Sequence, residues 1–578
     1  MNSRLQLLSA LALVGFLSAC TTTVGTGDFP SYSAKATVAE LFEQASQKSG
    51  EKADGLYLAA ADLAYQQQQA KQALDILNKI NFANLAINQQ IFAYTLQAEA
   101  AVANKQAALA LTAIEQPVFD QLSSVSTKLQ IRAQLARAST LQANNKPLAA
   151  MRERVFIAPL LSGKQAQKNH EAIWAIAEKL PSVALAKTGE QDLVGWLELA
   201  KLIQQPQTLE LQQATLRQWI ANNPQHPAAR NLPKNLATLL TLEAQNYQNI
   251  ALVLPVRGDN QYVFDAIRDG FLAAHYQQAA QGTTVPKLHL YDSAQIGSMD
   301  ALYQQALKDQ VQFVVGPWEK EQVKLLTQKQ SLPIPTLALN YSDSLNSYAA
   351  ELYQYGLAAE DEAKGAARLA WDNGHTKAAI VTPQGDWGNR VQQAFQQAFT
   401  DLGGQVVGST AITRNMPVTT QLDSFGSKLE QANFVFIAAP TQYALGLKQT
   451  LAKKSINIPI FATSAINPGN LSADTIKQLD GIIFCEVPWL LNTSNAVYDS
   501  VIREWPQSLG SLGRFYAMGI DAYQLTGRLA QLKTMPNSQI PGLSGSLSLT
   551  TNQRIERQLL WAAFVNGQIR PLVENEFN

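Results

Sequence analysis

Near Tyr247 the hydrophobic period of this 578-residue chain changes, and that change limits the fold more than any single motif does. From Ala34 to Tyr247, Ala, Leu and Gln dominate, β-branched runs are scarce, and apolar residues recur at helical spacing. Leu56, Ala60, Leu63 and Ala64 make one stripe, and Ile91, Tyr94, Thr95 and Ala98 make another. From Asn249 onward, short continuous apolar runs alternate with helix-period stretches. The runs are Asn249–Pro255, Leu288–Tyr291, Val311–Pro317 and Thr336–Leu339. After a connection at Leu352–Gly356 and a helix over Ala358–Asn373 they resume at Lys377–Pro383, Gln405–Thr410, Asn433–Pro440, Ile458–Ala462 and Gly481–Phe484. Strand alternating with helix predicts a parallel sheet covered on both faces, and two successive units of similar size predict two lobes. The expected fold class is multidomain: an all-α helical-repeat domain followed by a two-lobed α/β domain.

Within the helical half, short polar connections recur. They are Gln66–Gln69 before Ala70–Leu74, Asn104 before Lys105–Leu109, and Asn144–Asn145 before Lys146–Ala150. Aligning Ala73, Ala108 and Ala149 gives spacings of 35 and 41 residues, in the range of helix-hairpin repeats. Small side chains at fixed offsets let paired helices approach closely, so this half resembles a tetratricopeptide-like solenoid. A non-repeating helical bundle fits the same periodicity. Further helices are expected through Trp174, Trp196 and Trp219 as far as Asn223–Pro227, where two prolines stop the helix. Such arrays either dock other proteins on extended faces or act as spacers.

Arg4, the apolar run Leu5–Leu17 and the sequence Leu17-Ser18-Ala19-Cys20 follow the order of a secretory signal with small residues before its cleavage point. The run is too short to remain as a membrane span. A cysteine directly after Leu-Ser-Ala resembles the lipobox of bacterial lipoproteins. That resemblance implies lipidation at Cys20, and Thr21 in place of Asp implies sorting to the outer membrane, on its periplasmic side. The expected organisation is a signal peptide over 1–19, a lipidated flexible tether over 20–33, a helical domain over 34–247 and a two-lobed α/β domain over 248–578. Cys485 is then the remaining thiol, so no internal disulfide is expected, and it reads as a buried small hydrophobe. Lys plus Arg equals Asp plus Glu at 45 each, and losing Arg4 with the signal leaves a net charge near minus one. This balance argues against a general nucleic-acid or anionic-membrane surface and points to a protein or a small solute as partner.

Ile250-Ala-Leu-Val-Leu-Pro255, Asp269-Gly-Phe-Leu-Ala-Ala274, Val314-Val-Gly-Pro317, Gly542-Leu-Ser-Gly-Ser-Leu547 and Val565-Asn-Gly-Gln-Ile569 together resemble the type I periplasmic solute-binding fold. Behind a helical-repeat half on a lipoprotein, such a body resembles the LpoA family, the outer-membrane lipoprotein activators of class A penicillin-binding proteins. The resemblance spans essentially the whole mature chain. It implies a non-catalytic protein whose partner is a class A peptidoglycan synthase, whose cross-linking activity it raises, and which needs no cofactor. A lipoprotein receptor that captures a solute between its lobes is the competing reading.

In solute-binding relatives the turn after Gly-Pro supplies small hydroxyl residues that hold a ligand carboxylate at a helix start. Here that turn reads Gly316-Pro317-Trp318-Glu319-Lys320, and an indole and a carboxylate disfavour an amino-acid-like anion. Arg257, Trp318, Glu319, Tyr341, Asp386, Trp387 and Thr441 are the candidate residues of an interlobe cleft. Fragments of penicillin-binding enzyme motifs occur as Ser49-Gly50-Glu51-Lys52 and Lys187-Thr188-Gly189, but both fall in polar turns of the helical half, out of catalytic context. His170, His226, His275, His289 and His375 lack metal-ligand spacing and read as surface or cap histidines. No catalytic constellation emerges.

Overall fold

The computed structural model describes residues 27–180, 190–343, 349–491, 496–535 and 538–572. Its contacts divide the chain into two compact units, with the division between Asn169 and His170.

The first unit holds α1 (Val38–Ser46), α2 (Glu51–Gln66), α3 (Ala70–Leu77), α4 (Ile87–Ala103), α5 (Ala107–Ile114), α6 (Thr127–Ala143), α7 (Pro147–Ile157) and the start of α8 (Gly163–Ala177). A capping box opens α1: Thr37 Oγ1 accepts from the Glu40 amide while Glu40 accepts from the Thr37 amide. The pairs α2–α3, α4–α5 and α6–α7 are three hairpins closed by one loop design. Each long helix ends two residues before a left-handed, non-glycine residue, Gln68 (φ 64°), Lys105 (φ 59°) or Asn145 (φ 53°). The next amide then reaches back to an otherwise orphaned helical carbonyl: Gln69 to Ala64, Gln106 to Ala101, Lys146 to Leu141. Aligned on these loops, the equivalent alanines are Ala73, Ala110 and Ala150, all wholly buried where paired helices touch. The expected register through Ala108 and Ala149 is therefore corrected, since Ala108 is exposed and Ala149 half-buried. Each stretch offers several alanines in succession, and only the loop conformation selects among them.

The second unit begins as helices and continues as the α/β body. The rest of α8 is followed by α9 (Gln191–Ile203), α10 (Leu209–Asn222), α11 (Pro227–Arg230) and α12 (Lys234–Thr241). Trp174, Trp196 and Trp219 lie in helices as expected; they are buried, and His170 and His226 are buried with them, edge-on to the Trp196 ring at 5.6 Å each. His226 also accepts from the Ala228 amide and so caps α11, while His275 is buried beside Tyr523. The expectation of surface or cap positions thus fails for His170 and His275, because imidazole packs on aromatic faces as a flat, largely apolar group.

In the α/β body the first lobe is built from β1 (Asn249–Leu254), α13 (Gln261–Ala280), β2 (Lys287–Asp292), α14 (Met299–Lys308), β3 (Phe313–Val315), α15 (Lys320–Thr327), β4 (Ser331–Ala338) and β5 (Ala350–Gln354). Its sheet runs β2-β1-β3-β4-β5 and is parallel throughout. The stretch read as a connection at Leu352–Gly356 is in its first half the strand β5, paired with β4. The second lobe comprises α16 (Ala359–Asp372), β6 (Lys377–Pro383), α17 (Asp386–Asp401), β7 (Gln405–Ile412), α18 (Val418–Ser424), α19 (Gly426–Gln431), β8 (Phe434–Ile437), α20 (Thr441–Lys453), β9 (Ile460–Ala462), α21 (Ala473–Gln478) and β10 (Ile482–Glu486). The chain then returns to the first lobe as α22 (Ala496–Glu504) and the long α23 (Gly513–Thr534). A small antiparallel sheet, β11 (Ile540–Pro541), β12 (Ser546–Leu549) and β13 (Ile555–Gln558), leads into β14 (Leu560–Val565) and β15 (Gln568–Pro571), which complete the second sheet in the order β15-β14-β10-β9-β8-β6-β7. Two sheets joined by three chain crossings make the type I periplasmic-binding architecture that the motifs implied.

Helix α23 binds this unit together. It lies against α13 so closely that a Cβ on Gly270 would stand 2.2 Å from the Tyr516 carbonyl, and one on Gly519 2.0 Å from the Ile267 carbonyl. At its far end the wholly buried Arg528 donates to Gln207 O (2.8 Å), Gln212 Oε1 (2.6 Å) and Gln531 Oε1 (2.8 Å). Burial among uncharged acceptors lowers its pKa to about 10. The segment around α10 is thereby fixed to the α/β body, and the compact division falls well before the change of texture at Tyr247.

Candidate functional site: the junction of the two lobes

The residues predicted for an interlobe cleft are placed at several positions around it, and most are engaged by the fold. Trp318 packs edge-on against Phe264 at 5.1 Å, and its carbonyl accepts from Asn340 Nδ2. Glu319 precedes α15 as its cap residue and accepts from Ser293 Oγ at 2.8 Å. Tyr341 is buried, its hydroxyl donating to Ile555 O at 2.6 Å, with the Arg554 guanidinium 4.6 Å over its ring. Thr441 Oγ1 donates to Ile466 O at 2.7 Å, and Trp387, in the first turn of α17, packs half-buried against the adjoining core. Arg257 and Asp386 are exposed and do not join this set. The Tyr341 and Thr441 hydroxyls are thus directed at backbone carbonyls and act there as structural donors.

What the structure brings together instead is a set of buried polar groups at the three chain crossings. At the second crossing, β10 ends in Glu486, which is wholly buried and paired with Arg514 of α23 at 2.7 Å. Arg514 also donates to the carbonyls of Ser464 and Asn467, and Asn467 Nδ2 donates to Glu486 Oε2. Burial pushes the Glu486 pKa up against the opposing effect of Arg514. Burial would lower Arg514, but the adjoining carboxylate outweighs it and leaves it raised. A side chain rooted in a helix of one lobe is therefore paired with a carboxylate and hydrogen-bonded to two carbonyls inside the other.

The first and third crossings share a second network. Arg557 of β13 donates to Gly356 O and Ser544 O, both at 2.9 Å. Tyr355 and Ser544 share a hydrogen bond of 2.7 Å. Asp521 of α23 accepts from the Leu543 and Ser544 amides at 2.8 and 2.7 Å, and burial raises its pKa to about 6. Sequence reasoning missed all of these residues because their partners lie far away in the chain. The legible signal was a carboxylate inside an apolar run, at Glu486 after Ile482–Cys485 and at Asp521 within Ala517–Leu525.

Cys485, buried as expected, sits 3.6 Å from Glu362 Oε2, and burial together with that carboxylate raises its thiol pKa. The Ser49–Lys52 fragment is an exposed helix start, whereas Lys187–Gly189 and Cys20 lie outside the described residues. A separate cavity of about 570 Å³ lies in the first unit, lined by Phe29, Tyr32, Asp62, Glu99, Lys128 and Arg132 among others. At its base Arg132 bridges Glu99 (2.7 Å) and Asp62 (3.3 Å). Among the described residues no group of three or more His, Cys, Asp or Glu is arranged to hold a metal ion.

A family model described as "LppC putative lipoprotein" matches residues 31–567, which takes in both units and every crossing described above. The chain belongs to the LppC family. Within that family it is 28% identical over 578 residues to the penicillin-binding protein activator LpoA of Pasteurella multocida, covering 97% of both chains. It is 30% identical over 417 residues to the protein of the same name from Haemophilus influenzae, covering 70% of each. Among solved structures, a crystal form of Haemophilus influenzae LpoA aligns over 94% of this chain and 98% of its own, with 25% identity and a TM-score of 0.51. LppC membership thus rests on the full two-part architecture and not on the α/β body alone.

Proposed function

We propose that this lipoprotein is a non-catalytic activator of a class A penicillin-binding protein, raising peptidoglycan cross-linking during cell-wall synthesis. Its relatives over nearly the whole chain carry the name penicillin-binding protein activator, which supports the partner class. The observation that carries the reading is the junction of the lobes. Solute capture by this architecture works through hinge closure, and a hinge needs crossings free to change φ and ψ. Here the crossings hold a buried ion pair and a buried Arg557–Ser544–Asp521 network, and the cleft hydroxyls are bonded to the backbone. A body whose lobe crossings are built from buried polar contacts suits a docking role. An activator needs only to bind the working conformation of its enzyme better than the idle one, and the population then shifts.

Lipidation at Cys20 and residence in the outer membrane, facing the periplasm, belong to the same proposal. So does the absence of a catalytic role of its own, with no cofactor. The test is a synthesis assay in which the chain from Asp28 onward is added to a purified class A synthase with lipid-linked precursor, and the fraction of cross-linked peptides is followed. A saturable, dose-dependent rise is expected. No binding and no rise with any class A synthase of the same cell overturns the proposal.

A further inference from the structure

We infer that residues 28–32 form a clasp that holds the helical unit close to the lipid bilayer, with the segment Pro117–Lys128 as its membrane-facing surface. This rests on the reading of Cys20 as the anchored residue. The expected flexible tether over 20–33 does not persist through these positions. Asp28 Oδ2 accepts from the Ser126 amide at 2.6 Å, just ahead of α6, and that contact lowers its carboxyl pKa. The Phe29 ring stands edge-on to Phe92 of α4 at 5.4 Å, with the Lys128 ammonium 4.6 Å over its face. The Tyr32 hydroxyl donates to Asp62 of α2 at 2.9 Å and accepts from Gln66 at 2.8 Å. Residues 28–32 thus touch the long helix of all three hairpins and form one wall of the cavity over Arg132.

The consequence is a matter of reach. With Asp28 fixed, the backbone from Cys20 spans at most about 28 Å, at roughly 3.5 Å per residue. With the contacts released, the first fixed residue is the α1 cap Thr37, and the limit rises to about 60 Å. The clasp therefore halves the greatest stand-off, and the tether then leaves the fold at the corner beside Ser126. Around that corner Asp120, Gln121, Ser123, Ser124, Thr127 and Lys128 are exposed. One acid and one base cancel, so the surface meets anionic headgroups without net repulsion.

The test supplies the anchor chemically, so that it does not depend on native lipidation. The mature chain is coupled through its Cys20 thiol to a maleimide lipid in phosphatidylethanolamine–phosphatidylglycerol vesicles; Cys485 is buried and does not compete. Energy transfer is read from a coumarin amino acid at position 121 to a headgroup acceptor, and amide exchange is read at Ser126. The triple variant Asp28→Ala/Phe29→Ala/Tyr32→Phe is expected to lose at least half of the transfer and to speed Ser126 exchange at least tenfold. Asp28→Ala alone, outside every helix, is the second variant should the triple one misfold, with the same direction in both readouts. Unchanged exchange overturns the clasp, and faster exchange with unchanged transfer overturns its membrane orientation. Mass spectrometry of Cys20 in the native chain reports separately on the anchor reading.

Discussion

Arg514 and Glu486 show how a buried charge is tolerated at the lobe junction. Each is removed from water, and Asn467, two backbone carbonyls and the Val487 amide supply further hydrogen bonds to the pair. Arg514→Leu leaves Glu486 unpaired and should cost about 3–5 kcal/mol in urea unfolding. Adding Glu486→Met should recover most of that loss, because no charge is left stranded; a double variant as unstable as the single one would refute the pairing argument. Asp521 carries a pH signature. Its folded pKa of about 6 lies above the ordinary 3.8, so the folded state holds the proton more tightly. Its contribution to stability is therefore most favourable below about pH 4 and declines as pH rises through 6, by on the order of 3 kcal/mol. Asp521→Asn removes this dependence. The stability difference between variant and parent should shift in the variant's favour from pH 4 to pH 7, and a difference independent of pH would show that Asp521 is not protonated in that window.

At the scale of elements, α13 and α23 pack backbone to backbone in the second unit. Gly270 and Gly519 each lack the Cβ that would collide with the facing backbone. Because the obstacle is a carbonyl and not the end of a flexible side chain, Gly519→Ala cannot be accommodated by a rotamer change. It should cost about 2–3 kcal/mol, read as a lower melting temperature, with the two helices forced apart. The Asp269-Gly270-Phe271 motif was visible in the sequence, but its reason was not, since Gly270 faces Tyr516, 246 residues further on. The hairpin loops make the complementary point. Their polar composition marked where each helix ends, while the repeat register came only from the left-handed residues Gln68, Lys105 and Asn145, of which Asn145 alone is of a type that favours that conformation.

At the scale of the whole molecule, the compact division does not follow the change of texture. Arg528 draws its acceptors from Gln207 and Gln212, so a chain cut at Gln248 would leave a buried guanidinium facing water-exposed space with two of its three acceptor groups gone. A fragment from His170 to Asn578 should melt at least several degrees above one from Gln248 to Asn578. Equal melting temperatures would place the α10 contact outside the cooperative unit. For the synthesis assay, the longer fragment is the appropriate test of whether the α/β body acts without the first helical unit.

Period and motif in the sequence alone determined the two fold classes, the nine apolar runs that became strands, the alternation that makes both sheets mainly parallel, and the later helices through Trp174, Trp196 and Trp219. These follow from local rules, since side-chain period and turn chemistry act within a few residues. The tertiary structure decided which alanines face the helix pairs, where the compact units divide, that the cleft residues Tyr341 and Thr441 bond to the backbone, and that Glu486 and Asp521 are the charges at the crossings. Each of these depends on partners brought close only by folding. Glu486 meets Arg514, Asp521 meets Ser544, and Tyr341 meets Ile555 across 28, 23 and 214 residues of chain. Burial then makes such contacts matter more than they would as surface pairs, because a polar group left unpartnered there has no water to turn to.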